Sequence, residues 1–230
     1  NQESKTKRIG NTAKILGHFQ KYLKWGYYPT FTLGEPYDIF REKLVNVVDK
    51  VIFEDISSFY SLKTDNLDAL KKILYFFSTS TPGSINVNKL AKNLQKDHTT
   101  VAGYLQMLKD TGLLRFLLTS GHGHAVVRNA EKMYLDNTNL LYAINETVGK
   151  KTLTGVLREL FVIQSLENAG LKVFYSKTGD VACEGNIFEI GGKSKGDRQI
   201  RKTSHAYLVK DDILFGARNT IPLYLFGFLS

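Results

Sequence analysis

Cysteine is almost absent: Cys183 is the only one in 230 residues. No intrachain disulfide can form, and nothing calls for an oxidising compartment. A lone cysteine of this kind reads as core packing, not as a nucleophile. Long apolar runs are missing as well. No stretch approaches the roughly 18 uncharged apolar residues of a membrane helix, and the N-terminus has no apolar signal-peptide core. The expectation is a cytoplasmic protein with no membrane partner. There is no G-x-x-x-x-G-K-[ST] loop, so this chain by itself should not hydrolyse ATP. Internal repeats and low-complexity tracts are also lacking.

What is present is an ordinary globular composition, 43% hydrophobic with 12% aromatic residues. The length suits two compact domains of about 100 to 150 residues better than one minimal core. Lysine and arginine exceed aspartate and glutamate by 31 to 22, a net charge of +9. That balance favours a polyanionic partner such as DNA over a small neutral substrate, although solubility alone also accounts for it. The chain starts at Asn1, and NQESKTKR reads as a linker, which points to a fragment of something longer.

Along the chain, apolar residues recur at three and four from Ile9 to Trp25, predicting a helix ended by Gly26. A second helix is expected from Tyr37 to Phe53, burying Phe40, Leu44, Val47, Val48 and Val51. A third runs from about Leu67 to Phe77, and STSTPGS breaks it. Leu90, Ala91 and Leu94 then mark a short helix and Val101, Tyr104, Leu105 and Leu108 another, with Asp97 as its N-cap and Gly112 as its stop. Two short helices so spaced read as a helix-turn-helix. Strands are expected at 113–119 and 125–128, with a further one at 132–135, so the unit reads as a winged helix. Its second helix would present His98, Thr99, Ala102, Gly103, Gln106 and Lys109, with Arg128, His122 and His124 in the wing. Such a helix suits a DNA groove or the surface of another protein. The two wing histidines lack the further ligands of a metal site and read as a glycine-rich hairpin tip.

Helices are predicted over 138–148 and from Thr152 or Thr154 to Asn168, the second carrying Glu159 at the rim of its apolar stripe. Strands follow at 171–176, within 179–191 and at 206–210, then an apolar run from Ile221 to Phe228. This order describes an α/β unit. Its focus is Gly179 to Arg201. If Asn186 to Gly191 is a strand, Glu189 shares one face with Ile187 and Gly191, and Phe188 and Ile190 take the other. Asp180, Glu189 and a nearby lysine then form either a metal-dependent phosphodiesterase site or a β-edge ion pair.

The order of elements resembles the C-terminal half of prokaryotic AAA-type ATPases, in which a helical lid is followed by a winged helix and a PD-(D/E)XK nuclease-like domain. The resemblance rests on KLAKNLQKDHTTVAGYLQMLKDTGLL, EKMYLDN, TGVLRELFVIQSL and the stretch from Gly179 to Arg201. It implies a lid or connector over 1–65, a winged helix over 66–137 and a restriction-endonuclease-like α/β domain over 138–230. It also implies an ATPase domain in the same full-length protein, ATP being used only there, with DNA as a partner. Carried over, the nuclease pattern assigns Glu159, Asp180, Glu189 and Gln199 to catalytic positions, with Asp180 and Glu189 as Mg²⁺ ligands. The lysine expected two residues after the second acid is replaced by Gly191. Lys193 is the substitute whose stem could fold back, and Lys195, Arg198, Arg201 and Lys202 form a basic surface for phosphate contact. The departure at Gly191 implies that cleavage is lost or reduced.

Overall fold

The computed structural model describes residues 14–83, 86–120 and 130–229. It is a mixed α and β protein. Helix α1 (14–21) runs into a π-helical turn, Tyr22–Gly26, that buries Leu23 completely. A short 3₁₀ turn, Pro29–Leu33, leads to α2, Tyr37–Lys50. The helix does not end at Phe53 as expected. It continues through a π turn, Val51–Ile56, into α3, Ser57–Tyr60, and stops at Ser61, whose φ is 50°. The buried residues are Phe40, Leu44, Val48, Ile52 and Ile56, while Val47, expected inside, is 54% exposed. A constant spacing of four drifts about 40° per step around a 3.6-residue helix, and the wider π turn compensates part of that drift.

Helix α4, Thr64–Thr79, precedes α5, Val87–Leu94, and α6, His98–Asp110. Gln95 supplies the turn between the last two with φ 54°. Asp97 caps α6 as expected: it accepts the Thr100 amide at 2.8 Å and the Thr100 hydroxyl at 2.5 Å. These two bonds hold the Asp97 carboxyl below the usual range. Gly112, at φ 71°, ends the unit. Strand β1, Leu114–Leu118, pairs antiparallel with β2, Ala130–Leu135. The segment read as an extra strand is therefore the partner of β1. The strand expected at 125–128, with Arg128, His122 and His124, lies outside the described residues.

Helix α7, Thr138–Thr147, is capped by Asn137, which accepts the Leu140 amide at 2.9 Å. It packs against α2, α4 and the π turn at Tyr22–Gly26. Helix α8, Thr154–Asn168, then lies on a five-stranded sheet ordered β3-β4-β5-β6-β7: Val173–Tyr175, Val181–Cys183, Asn186–Gly191, Ala206–Lys210 and Thr220–Pro222. The first three strands are antiparallel, and β5, β6 and β7 run parallel. Strand β5 is central and not an edge, with β4 paired on one side and β6 on the other. A bridge between Thr119 and Tyr175 joins the hairpin to this sheet.

One continuous apolar core runs from Phe19 to Phe226, and a small second cluster gathers Ile200, Ala206 and Leu208 against Ile187. Cys183 is free and buried, and burial pushes its thiol up. The residues after β5 make only hydrogen-bonded turns, including Ile200 N–H to Asp197 C=O at 3.0 Å. Gly191, Gly192 and Gly196 disfavour a helix there. No helix among the described residues is long and apolar enough to cross a membrane.

Candidate functional site: a carboxylate cluster closed by two lysines

Three elements bring the acids together. Glu159 stands on α8, half-buried at the rim of the apolar stripe as its spacing predicted. Asp180 precedes β4, and its amide donates to Phe188 C=O at 2.9 Å. Extending the β4–β5 register by one residue sets Asp180 opposite Glu189, so both side chains leave the sheet on the same side. Gly179 permits this approach. A Cβ there would lie 2.8 Å from the Ile187 side chain and 2.9 Å from Phe188 C=O, a backbone contact that cannot yield.

The cations come from unexpected places. Lys132 on β2 donates to Glu159 Oε2 at 2.7 Å and lies 3.6 Å from Asp180 Oδ1. Tyr134, two residues on and facing the same way, donates to Glu159 Oε2 at 2.6 Å. The Ile190 amide donates to Asp180 Oδ2 at 2.8 Å. Lys195 pairs with Glu189 Oε1. Its stem crosses Gly191 so closely that a Cβ there would fall 2.5 Å from Lys195 Cγ. Gly191, where a lysine was expected, thus leaves room for a lysine arriving from four residues later.

Charge and burial act together on these groups. Burial alone would lower the Lys132 ammonium, but Glu159 and then Asp180 outweigh it and leave its pKa raised. Burial pushes the Tyr134 hydroxyl well above its usual value, and the charge of Glu159 adds to the rise, so it is a proton donor here. Glu189 is only 1% exposed. Burial raises its carboxyl above the ordinary 4.5, Lys195 opposes the rise, and the charges of Asp180 and Glu159 reinforce it. Its Oε2 is buried without a hydrogen-bond partner among the described residues. Three carboxylates against two ammonium groups leave one negative charge unmatched, and Glu189 is the group best placed to take a proton.

A raised folded pKa means that Glu189 contributes stability present in full below its ordinary value of 4.5 and lost as pH climbs through the folded value. Glu189→Gln lacks that loss. Urea denaturation between about pH 4 and pH 7 should show the stability of Glu189→Gln rising relative to wild type as pH increases. Parallel curves would show an unperturbed carboxyl.

The other sequence-predicted residues are scattered. Lys193 is exposed in the turn after β5, away from the acids it was expected to serve, because the turn at Gly192–Lys195 directs Lys195 inward instead. Gln199 and Arg198 are exposed in the following turns, Gln199 having no helix to present it. His98 and Thr99 are exposed at the start of α6. Gln106 donates to Asp110 at 2.7 Å, and the Lys109 ammonium lies 5.8 Å from the centre of the Phe116 ring. Sequence reading missed Lys132 and Tyr134. Their signal was the alternation in EKMYL, with Met133 and Leu135 buried on one face and a lysine and tyrosine on the other.

The acids do not fit Mg²⁺ as they are arranged. Asp180 spends one oxygen on a backbone amide and the other beside Lys132, Glu159 meets the same ammonium, and Glu189 meets Lys195. Among the described residues, no group of three histidine, cysteine or acidic side chains is placed to hold a metal ion.

A family model matches residues 16–151, more than half of the chain. The chain belongs to the DUF8612 family, a domain of unknown function. No curated protein and no solved structure shows a significant match. The DUF8612 region includes α2 to α7 with Lys132 and Tyr134, and it ends before Glu159, Asp180 and Glu189. Of the cluster's two lysines, Lys132 therefore comes from within the DUF8612 match, and Lys195 and the acids come from beyond it.

Proposed function

We propose that this chain is a DNA-binding module from the C-terminal part of an AAA-type ATPase, in which a nuclease-like α/β domain binds without cleaving. In this reading α5, α6 and β1–β2 form a winged helix. The antiparallel β3-β4-β5 followed by parallel β6, with an acidic residue on the preceding helix, supports the nuclease-like assignment. The observation that carries binding without cleavage is Lys132, whose ammonium lies 2.7 Å from Glu159 and 3.6 Å from Asp180. An internal cation neutralises there the acids that a nuclease would keep for metal.

Support for DNA contact comes from exposed Lys89, Lys92, His98 and Thr99 on the α5–α6 surface and from the net charge of +9. Fluorescence anisotropy with duplex DNA across a salt series tests it. Affinity should fall steeply with salt, and Lys92→Ala with Lys109→Ala should flatten the log–log slope by about 0.9 for each phosphate that is no longer neutralised. Binding indifferent to salt and to both changes would favour a protein-interaction platform.

A second reading, a Mg²⁺-dependent DNA endonuclease, is favoured by one observation. Lys195 places its ammonium on Glu189 across Gly191, supplying the cation that the nuclease pattern needs. Metal-dependent cleavage abolished by Asp180→Asn would establish that reading over the first.

A further inference from the structure

We infer that the cavity between α1, α8 and the C-terminal turn is a binding site for a small anionic aromatic molecule, a ring or fused ring pair bearing a carboxylate. The site shares no residue with the surface assigned to DNA or with the carboxylate cluster, so it stands or falls separately from both.

Three segments make the walls. From α1 and the π turn that extends it come Ile15, Phe19 and Tyr22, spaced four and three apart on one helical face. Helix α8 contributes the buried ring of Phe161, and the 3₁₀ segment Leu223–Phe228 contributes Tyr224, Gly227 and Phe228. The rings meet at steep angles: Phe19 lies 4.9 Å from Phe161 and 6.5 Å from Tyr224, and Tyr22 lies 6.1 Å from Phe161. The Tyr224 hydroxyl is committed to Leu214 C=O at 3.1 Å, so this residue offers its ring and not its polar end. The space measures about 330 Å³, at the small end of the range of about 300–1,000 Å³ for small-molecule pockets. Gly227 keeps it open. A Cβ there would rest in ordinary contact, 3.5 Å from Phe161 Cζ, and the remainder of a longer side chain would take up the space.

Charge at the mouth selects the occupant. His18 lines the cavity, with Lys14 four residues before it and Lys21 three after, so the three form a stripe bordering that of Ile15, Phe19 and Tyr22. Both lysines are exposed, and among the described residues neither forms an ion pair. No acidic residue occurs in 14–26 or in 223–229. An aromatic box rimmed by acids suits a cationic ligand, but one rimmed by unpaired ammonium groups repels a cation and attracts a carboxylate. The walls favour a ring over an alkyl chain, because aromatic pairs gain edge-to-face contact beyond the area they bury.

Calorimetric titration of the full chain with naphthoate, with its neutral alcohol analogue and with decanoate provides the test. Wild type should bind naphthoate saturably, several-fold more tightly than the alcohol, and more tightly than decanoate. Lys14→Glu combined with Lys21→Glu changes only exposed positions and should leave the melting temperature unaltered. It should weaken naphthoate about ten-fold while the alcohol binds as before, and added salt should reproduce part of that loss in wild type. Gly227→Leu fills the cavity and should abolish binding of both ring compounds, with a melting temperature at or above that of wild type. Absence of saturable naphthoate binding would overturn the inference. So would naphthoate binding that survives in a folded Gly227→Leu, an alcohol bound as tightly as the acid, or decanoate bound more tightly than naphthoate. The lysine pair decides the charge selection even if Gly227→Leu fails to fold.

Discussion

Asn139→Ala is expected to destabilise the chain by about 3–5 kcal/mol and to lower the melting temperature by about 10 °C. Asn139 is fully buried on α7. Its Oδ1 accepts the Tyr27 amide at 2.9 Å, and its Nδ2 donates to the carbonyls of Tyr22 at 3.2 Å and Leu23 at 3.0 Å. These backbone groups lie where α1 gives way to the π turn and the chain leaves the helix, where ladder bonds are weakest. One side chain satisfies all of them. Alanine would strand an amide and two carbonyls, each costing about 1–3 kcal/mol when left unpaired away from water. Against a typical total of about 5–15 kcal/mol, that is a large share. Asn139→Asp should be at least as damaging, since it loses the donor and sets a charge against two carbonyls. A control at exposed Lys72 should stay within about 0.5 kcal/mol. A melting temperature for Asn139→Ala within about 3 °C of wild type would show that water reaches these groups.

Asn139 also illustrates which features local sequence conveys. The Asp97 cap, the stop at Gly112, helix α8 with Glu159 at its rim, and the alternation along β5 all follow from interactions within a few residues, and each is present. The features that escaped depend on distant partners. Asn139 meets residues more than 110 positions earlier, and Lys132 meets Glu159 across 27. Nothing local distinguishes Lys195 from Lys193. The choice depends on the bond from the Lys195 amide to Gly192 C=O, 2.9 Å long, which turns the later lysine back over Gly191. The expected β-edge position of Glu189 failed for a similar reason, because strand order is a property of the whole sheet. There β6 follows β5 in parallel through turns, not a helix, and takes the place of open solvent.

Arg115→Ala should cost about 2 kcal/mol and, unlike most surface charge deletions, should not be rescued by lysine. The Arg115 guanidinium donates from Nε to Asp136 C=O at 2.9 Å, from one terminal nitrogen to Asp136 Oδ1 at 2.9 Å, and from the other to Glu167. A planar fork serves three acceptors in fixed directions, whereas an ammonium is a single point of charge. Breaking a fully buried pair costs about 3–5 kcal/mol, but Asp136 and Glu167 retain 23% and 29% exposure, so water offsets part of the loss. A double-mutant cycle with Glu167→Gln should return a coupling of about 1 kcal/mol, and a value near zero would mean that this pair is screened like any surface pair. Glu167 lies two helical turns from Glu159, about 12 Å along α8. Arg115 and Lys132 thus grip the same helix at two points from one face of the hairpin. Loosening Arg115 should therefore weaken the hold of Lys132 on Glu159 and Asp180. A Lys132→Met/Glu159→Gln double-mutant cycle should return a smaller coupling in the Arg115→Ala background than in wild type, and an equal coupling would show that the two contacts are independent.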